Sequence, residues 1–296
     1  MRPPFPRLAL CLLPLLALSC HAGEPRTHAR PWTPAAIASD QYESSPAFTP
    51  DGRELYFMRS DRVFGRYRLL MSRCERDGWS APAPPPFAGP PDAQEADPFV
   101  SHDGRRLYYV SSRQGTNPDD LDIWMVRRDA AGAWSTPQRL PAPVNSSASE
   151  LLPRETADGR LYFGSSRPGG PGQTDIYLAT PRQDGGWDAA VVGPPISTAE
   201  QEYEVEVSRD GRQLILVGQR GDGRSHLYRF AREGQRWVAR GRIPARADVF
   251  QVGPLLSPKG DRLLFGQAAN ERDSGELFLA DLRPGADPDW PPRCGG

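Results

Sequence analysis

The sequence predicts an all-β, five-bladed β-propeller, and three observations carry that assignment. A turn signal recurs five times at intervals of 52, 55, 52 and 49 residues. Each turn is followed by a short aromatic or aliphatic segment and then by two further strand-like segments, the second usually opened by Trp. Pro (33) and Gly (29) are so frequent in the 296 residues that long helices are excluded, yet 38% hydrophobic content still provides a core. Four short strands per unit at a period near fifty is the pattern of a propeller blade.

The turns read Thr49-Pro-Asp-Gly-Arg53, Ser101-His-Asp-Gly-Arg105, Thr156-Ala-Asp-Gly-Arg160, Ser208-Arg-Asp-Gly-Arg212 and Ser257-Pro-Lys-Gly-Asp261. Asp-Gly between apolar segments marks a hairpin, because Gly takes the positive-φ position and Asp bonds the local backbone. The segment before each turn is strand A. Strand B follows at Leu55–Phe57, Leu107–Tyr109, Leu161–Phe163, Leu214–Leu216 and Leu263–Phe265. Strand C is expected at Leu69–Met71, Ile123–Met125, Ile176–Leu178, Leu227–Phe230 and Leu277–Leu279, and strand D begins at Trp79, Trp134, Trp187 and Trp237. The blades then occupy approximately 41–88, 89–143, 144–195, 196–244 and 245–290, within one domain over 32–296. Trp32-Thr-Pro34 matches Trp79-Ser-Ala-Pro82, so Trp32–Ile37 is expected to supply strand D of the last blade and close the ring, removing a free sheet edge. Trp290 competes for that place, but Pro291 and Pro292 would remove ladder donors there.

The leader is an address. Arg2 and Arg7 precede an apolar run from Leu8 to Leu18, too short to span a bilayer and of the form of a secretory signal. Leu16-Ala-Leu-Ser-Cys20 resembles the lipobox of bacterial lipoproteins. That resemblance implies removal of 1–19, lipidation of Cys20, a tether over 20–31 and, with His21 rather than Asp after the Cys, an address in the periplasm on the outer membrane. The alternative is an ordinary cleaved signal in which Cys20 is incidental. The formal charge of the whole chain is -1, with no basic cluster, which excludes a nucleic-acid partner. The membrane would be met through the lipid alone, and the chain is expected to be a monomer.

Ser111-Ser-Arg113 with Asp122-Ile-Trp124, and Ser165-Ser-Arg-Pro-Gly-Gly170 with Asp175-Ile-Tyr177, resemble the WD40-like propeller repeat of the TolB type, over residues 41 to about 282. TolB also carries an α/β domain ahead of its propeller, and this chain departs from that pattern. The resemblance therefore implies the fold and a binding or scaffolding role in the cell envelope, without a particular partner.

No phosphate loop, H-E-x-x-H or G-x-S-x-G occurs. No catalytic residue and no cofactor or metal is assigned. Asp119, Asp120 and Asp122 form an acidic loop whose carboxylates suit calcium, although a solvated loop is the simpler reading. His226 stands where Asp122 and Asp175 stand in other blades, which suggests a structural role.

One column stands out. Eight residues before each turn Asp, or before Lys259, stand Glu43, Glu95, Glu150, Glu202 and Gln251. Strand A is innermost in a propeller, so this ring is expected at one channel mouth, ready to bind a cation, a small ligand or a basic group of a cell-envelope protein. Arg113, Arg167 and Arg220, six residues after the leading Leu of strand B, could instead form ion pairs, each with a column Glu or with the Asp of the third strand. A carbohydrate-active hydrolase or lyase, with Glu95 and Glu202 as acid and base, is the alternative function. Once Cys11 and Cys20 are set aside, Cys74 and Cys294 remain, at the end of the third strand of blade one and just beyond blade five. In an oxidising compartment they are expected to pair.

Overall fold

The computed structural model describes residues 29–115, 117, 119–268 and 275–295. Cys20, the leader and most of the tether lie outside them. Among the described residues the chain forms five antiparallel four-stranded sheets, in the order expected of five blades.

Blade one is β2 (Tyr42–Phe48), β3 (Glu54–Ser60), β4 (Tyr67–Glu75) and β5 (Gly78–Trp79), and blade two is β6 (Glu95–Val100), β7 (Arg106–Ser111), β8 (Asp122–Arg127) and β9 (Gln138–Arg139). Blade three is β10 (Glu150–Glu155), β11 (Leu161–Ser165), β12 (Asp175–Pro181) and β13 (Trp187–Val191). Blade four is β14 (Gln201–Val207), β15 (Gln213–Gln219), β16 (Ser225–Glu233) and β17 (Arg236–Arg242). Blade five has β18 (Gln251–Leu256), β19 (Arg262–Ala268) and β20 (Gly275–Asp281), completed by β1 (Arg30–Pro31) from the other end of the chain. The innermost strands β2, β6, β10, β14 and β18 touch one another in sequence around the axis, and β18 returns to β2.

The turn signal works through its first residue as well as its glycine. Gly52, Gly104, Gly159, Gly211 and Gly260 all have φ between +62° and +79°, and each donates its amide to the carbonyl of the Ser or Thr three positions earlier, at 2.8–2.9 Å. That Ser or Thr donates its hydroxyl to the turn Asp, for example Ser101 to Asp103 at 2.6 Å. In blade five, Lys259 occupies the Asp position and Asp261, two residues on, accepts from Ser257 at 2.6 Å instead.

Apolar faces of neighbouring blades make the core. Tyr108, Val110, Ile123 and Met125 of blade two pack on Leu161 and Phe163 of blade three, and Ile215 and Leu227 of blade four pack on Leu263 and Phe265 of blade five.

Two strand assignments need correction. The closing strand is Arg30–Pro31, paired with Leu279 and Phe278, not Trp32–Ile37. Trp32 continues that ladder with one amide bond to Leu277 O at 2.8 Å, whereas Pro34 carries the chain into a turn in which the Ile37 amide bonds Pro34 O at 2.8 Å. The propeller therefore starts two residues inside the span expected to be tether. Trp290 does not compete for this edge: it is buried against Leu264, Leu277 and Leu279. In blade two, strand D begins at Gln138 rather than Trp134, which makes only an isolated bridge to Arg128. Pro137 has no amide to extend the ladder between them. Beyond Trp290, Cys294 forms a disulfide with Cys74 at the end of β4, with Cα atoms 5.3 Å apart.

Candidate functional site

The acidic column does not line a channel mouth, which corrects the expectation. Glu43, Glu150, Glu202 and Gln251 are 0% exposed and Glu95 5%. Each carboxylate is held by an arginine: Glu43 by Arg59 at 2.7 Å, Glu95 by Arg113, Glu150 by Arg167 at 2.9 Å and Glu202 by Arg220 at 2.7 Å. The same groups grip the connection entering each blade. Ser39, the Gly89 amide, Ser146 and Thr198 donate to the four carboxylates, and the guanidinium groups donate to the carbonyls of Ile37, Phe87, Val144 and Ile196. Each Arg also lies over an aromatic ring, as Arg113 does over Trp124 at 5.1 Å. The column is thus a repeated staple of loop, strand A and strand B. Burial, the larger effect, raises the carboxyls of Glu43 and Glu150, and the hydrogen bonds and arginines oppose it.

Arg59 was not foreseen, because it pairs directly across from Glu43 while Arg113, Arg167 and Arg220 stand two residues further on. In blade five no such Arg among the described residues meets the amide Gln251, whose Oε1 lies 2.9 Å from His226 Nδ1. An Arg242 guanidinium nitrogen lies 2.7 Å from that same ring nitrogen, and His226 Nε2 lies 2.8 Å from an Asp222 carboxylate oxygen. In the acidic loop Asp122 is bound by both arms of Arg139 at 2.5–2.6 Å, and the described residues contain no cluster of three or more His, Cys, Asp or Glu suited to a metal.

The residues that do face the axis stand two positions further along strand A: Ser45, Asp97, Leu152, Glu204 and Gly253. In a regular strand they would share a face with the column. Here every innermost strand carries a register irregularity at this point. Ser45, Asp97 and Leu152 have φ of +49°, +55° and +41°, and Gly253 +59°. A side chain at Gly253 would meet the Ser45 amide at 2.3 Å, so glycine is required where blade five meets blade one. The irregularity turns Asp97 and Glu204 toward each other beneath an opening. That cavity, of about 460 Å³, is walled by Phe64, Tyr67, Tyr203 and Phe250, with the two carboxyls among its lining.

Ser45 Oγ donates to Asp97 at 2.8 Å, the Leu152 amide donates to the other Asp97 oxygen at 3.1 Å, and the Gly253 amide donates to Glu204 at 2.7 Å. Beside these groups Arg154, itself buried, bonds Glu206 at 2.5 Å and lies over Phe99. Arg154 is within electrostatic reach of Asp97 and Glu204 too, so three buried carboxyls share one guanidinium. Burial raises all three, and the charge of Asp97 adds to the effect on Glu204, which is pushed up to about 8. A carboxyl in that state holds a proton at neutral pH and can donate a hydrogen bond.

No protein-family model and no curated protein matches the sequence. Among solved structures the fold is similar to a putative TolB from Agrobacterium tumefaciens (TM-score 0.53, 18% identity, 82% of this chain and 78% of that one). It is also similar to TolB from Acinetobacter baumannii (0.50, 17%, 84% of this chain but only 56% of that one). An alpha-L-arabinofuranosidase from Lactobacillus brevis is similar as well (0.51, 13%, 83% and 91%). At these identities the likeness is one of fold: the chain is a five-bladed propeller whose fold is similar to that of TolB proteins.

Proposed function

We propose that this chain is a binding propeller of the periplasm, carried on the outer membrane by lipidated Cys20, whose channel mouth takes a small ligand or a segment of a cell-envelope protein. One observation carries the reading. Of the four non-glycine residues with positive φ among the described residues, Phe64 and Asp97 line this mouth, and the other two, Ser45 and Leu152, are buried behind it and donate to the Asp97 carboxylate. Strain of this kind costs on the order of 1–3 kcal/mol per residue and gathers where function demands it. The fold likeness to TolB proteins and the leader over 1–19 support the scaffold and the location. The test is retention of envelope components from detergent extracts on the mature chain and on Leu151→Trp, which fills the cavity from its wall. The reading expects a component retained by the parent and lost with Leu151→Trp. Equal retention by both would remove the cavity from the account.

A second reading, carbohydrate hydrolysis or elimination, draws on the proton held by Glu204 beside Asp97, the state of a general acid next to a second carboxyl. Glu95 and Glu202 are unsuited to it, being closed off and paired with arginine. Release of reducing ends or unsaturated products from envelope or plant polysaccharides, lost in both Asp97→Asn and Glu204→Gln, would favour this reading.

A further inference from the structure

We infer that the channel-mouth cavity takes a small organic cation, an ammonium head over Asp97 and Glu204 with an aromatic or aliphatic body against Phe64, Tyr67, Tyr203 and Phe250. The inference rests on the binding reading above and specifies its ligand. Charge balance is the first ground. Among the described residues, Asp97, Glu204 and Glu206 converge on one guanidinium, that of Arg154, which bonds only Glu206 of the three. Counted over the described residues, the floor of the cavity holds more acid than base, and a cation seated there would balance it.

The walls are the second ground. Phe64, Tyr42 and Phe250 form a mutually packed aromatic group with centroids 5.1–5.4 Å apart, and Phe64 and Phe250 present it to the cavity. Tyr203 and Tyr67 complete the walls, and burial keeps both phenols neutral well above physiological pH. Such walls suit an apolar body and attract a cation through their ring faces. They do not suit a hydrated metal ion, which needs oxygen ligands on most sides. A volume near 460 Å³ matches a small molecule.

A proton is linked to the binding. With Glu204 protonated near neutrality, an arriving ammonium favours the ionised carboxylate and releases that proton to solvent, so affinity rises with pH. Among the described residues the other charged and titratable groups at the site are Asp97 at the floor, Arg154 with Glu206 beneath, Tyr67 with Asp119 in electrostatic reach of it, Tyr203, Tyr42 packed behind Phe64 and Phe250, and Arg224 at the rim. Arg224 is engaged there and contributes to holding the Asp248 carboxyl down.

The test is calorimetric titration of the mature chain with 2-phenylethylammonium, 2-phenylethanol and 3-phenylpropionate, at pH 6 and 7.5 and in buffers of differing ionisation heat. The ammonium should bind at least tenfold tighter than the alcohol or the carboxylate, tighten severalfold from pH 6 to 7.5, and release a fraction of a proton. Glu204→Gln should weaken it about tenfold, and Phe250→Leu severalfold. Should Glu204→Gln fail to fold, Phe250→Leu and the proton count carry the test. If the alcohol binds as tightly as the ammonium, the cation inference falls and the cavity remains a binding site. If no probe binds while Leu151→Trp still abolishes envelope retention, the occupant is a macromolecule and the inference falls. If calcium alone binds with the same dependence on Glu204 and none on Phe250, the site is a metal site and the inference falls.

Discussion

Replacing Glu204 by Gln isolates one buried ionisation. The amide keeps the shape of the carboxyl and can still accept the Gly253 amide, 2.7 Å from the carboxylate in the parent, but it cannot titrate. The folded chain raises this carboxyl from an ordinary value near 4.5 to about 8. A carboxyl raised by folding binds its proton more tightly in the folded state. The stability tied to it is present at low pH and is lost as pH climbs through the window between the two values. Each pH unit in that window is worth about 1.4 kcal/mol. From pH 5.5 to 7.5 the parent should therefore lose up to about 3 kcal/mol relative to the variant. For a domain of this size that is a change of about 6–12 °C in the difference between the melting temperatures. Coupling reduces this upper bound, because Asp97 is relieved of a like charge in the variant and titrates lower. Calorimetric melts of both proteins at half-unit steps provide the measurement. Other raised carboxyls, Glu43, Glu150 and Glu206 among them, act on both proteins alike and cancel in the difference. Parallel melting curves across the window would refute the assignment of a raised, proton-holding carboxyl at Glu204.

Arg154→Met should destabilise the propeller by about 3–5 kcal/mol, since it strands three buried carboxyls, and the loss should shrink as the pH is lowered in denaturant melts. Glu95→Gln with Glu202→Gln should lower the melting temperature by several degrees and leave channel-mouth binding intact, because these groups staple loops rather than face the ligand; unchanged stability would contradict that role. Cys74→Ser with Cys294→Ser opens a crosslink between residues 220 apart in sequence, for which chain entropy gives at most about 5 kcal/mol; equilibrium unfolding should show a clear loss. Gly159→Ala should cost about 1 kcal/mol from backbone conformation alone, since a methyl there meets nothing closer than Pro181 at 3.9 Å.

The parts of the molecule governed by local chemistry were legible in the sequence. Ser or Thr, Asp and Gly at fixed spacing dictate the hairpin, and the aromatic and aliphatic triplets after it dictate strand B. The repeat offset brings Arg113, Arg167 and Arg220 to the end of the blade that holds both the column Glu and the strand C Asp, and the structure pairs them with Glu95, Glu150 and Glu202. The placement of that column was not legible, because the step from Glu95 to Asp97 crosses a strand irregularity that period-two alternation ignores. A signal was nonetheless present: Ser45-Pro46, Asp97-Pro98, Leu152-Pro153 and Gly253-Pro254 occupy one repeat position, and proline within an inner strand marks a break in its ladder. Glu204-Val205, the exception, carries its irregularity without proline. The closing strand was misplaced by two residues because Trp32 marks the end of the pairing rather than its start, and strand D of blade two was displaced by Pro137.

Photocrosslinking decides which opening of the propeller is the binding surface. A photoreactive phenylalanine analogue at Phe250, on the channel mouth floored by Asp97 and Glu204, or at Arg209, on the opposite opening that Glu206 lines, would be irradiated in intact cells. Each protein would then be purified and its mass measured. The account predicts a defined adduct, of ligand or partner, at Phe250 that disappears with Leu151→Trp, and none at Arg209. An adduct at Arg209 with none at Phe250 would contradict it.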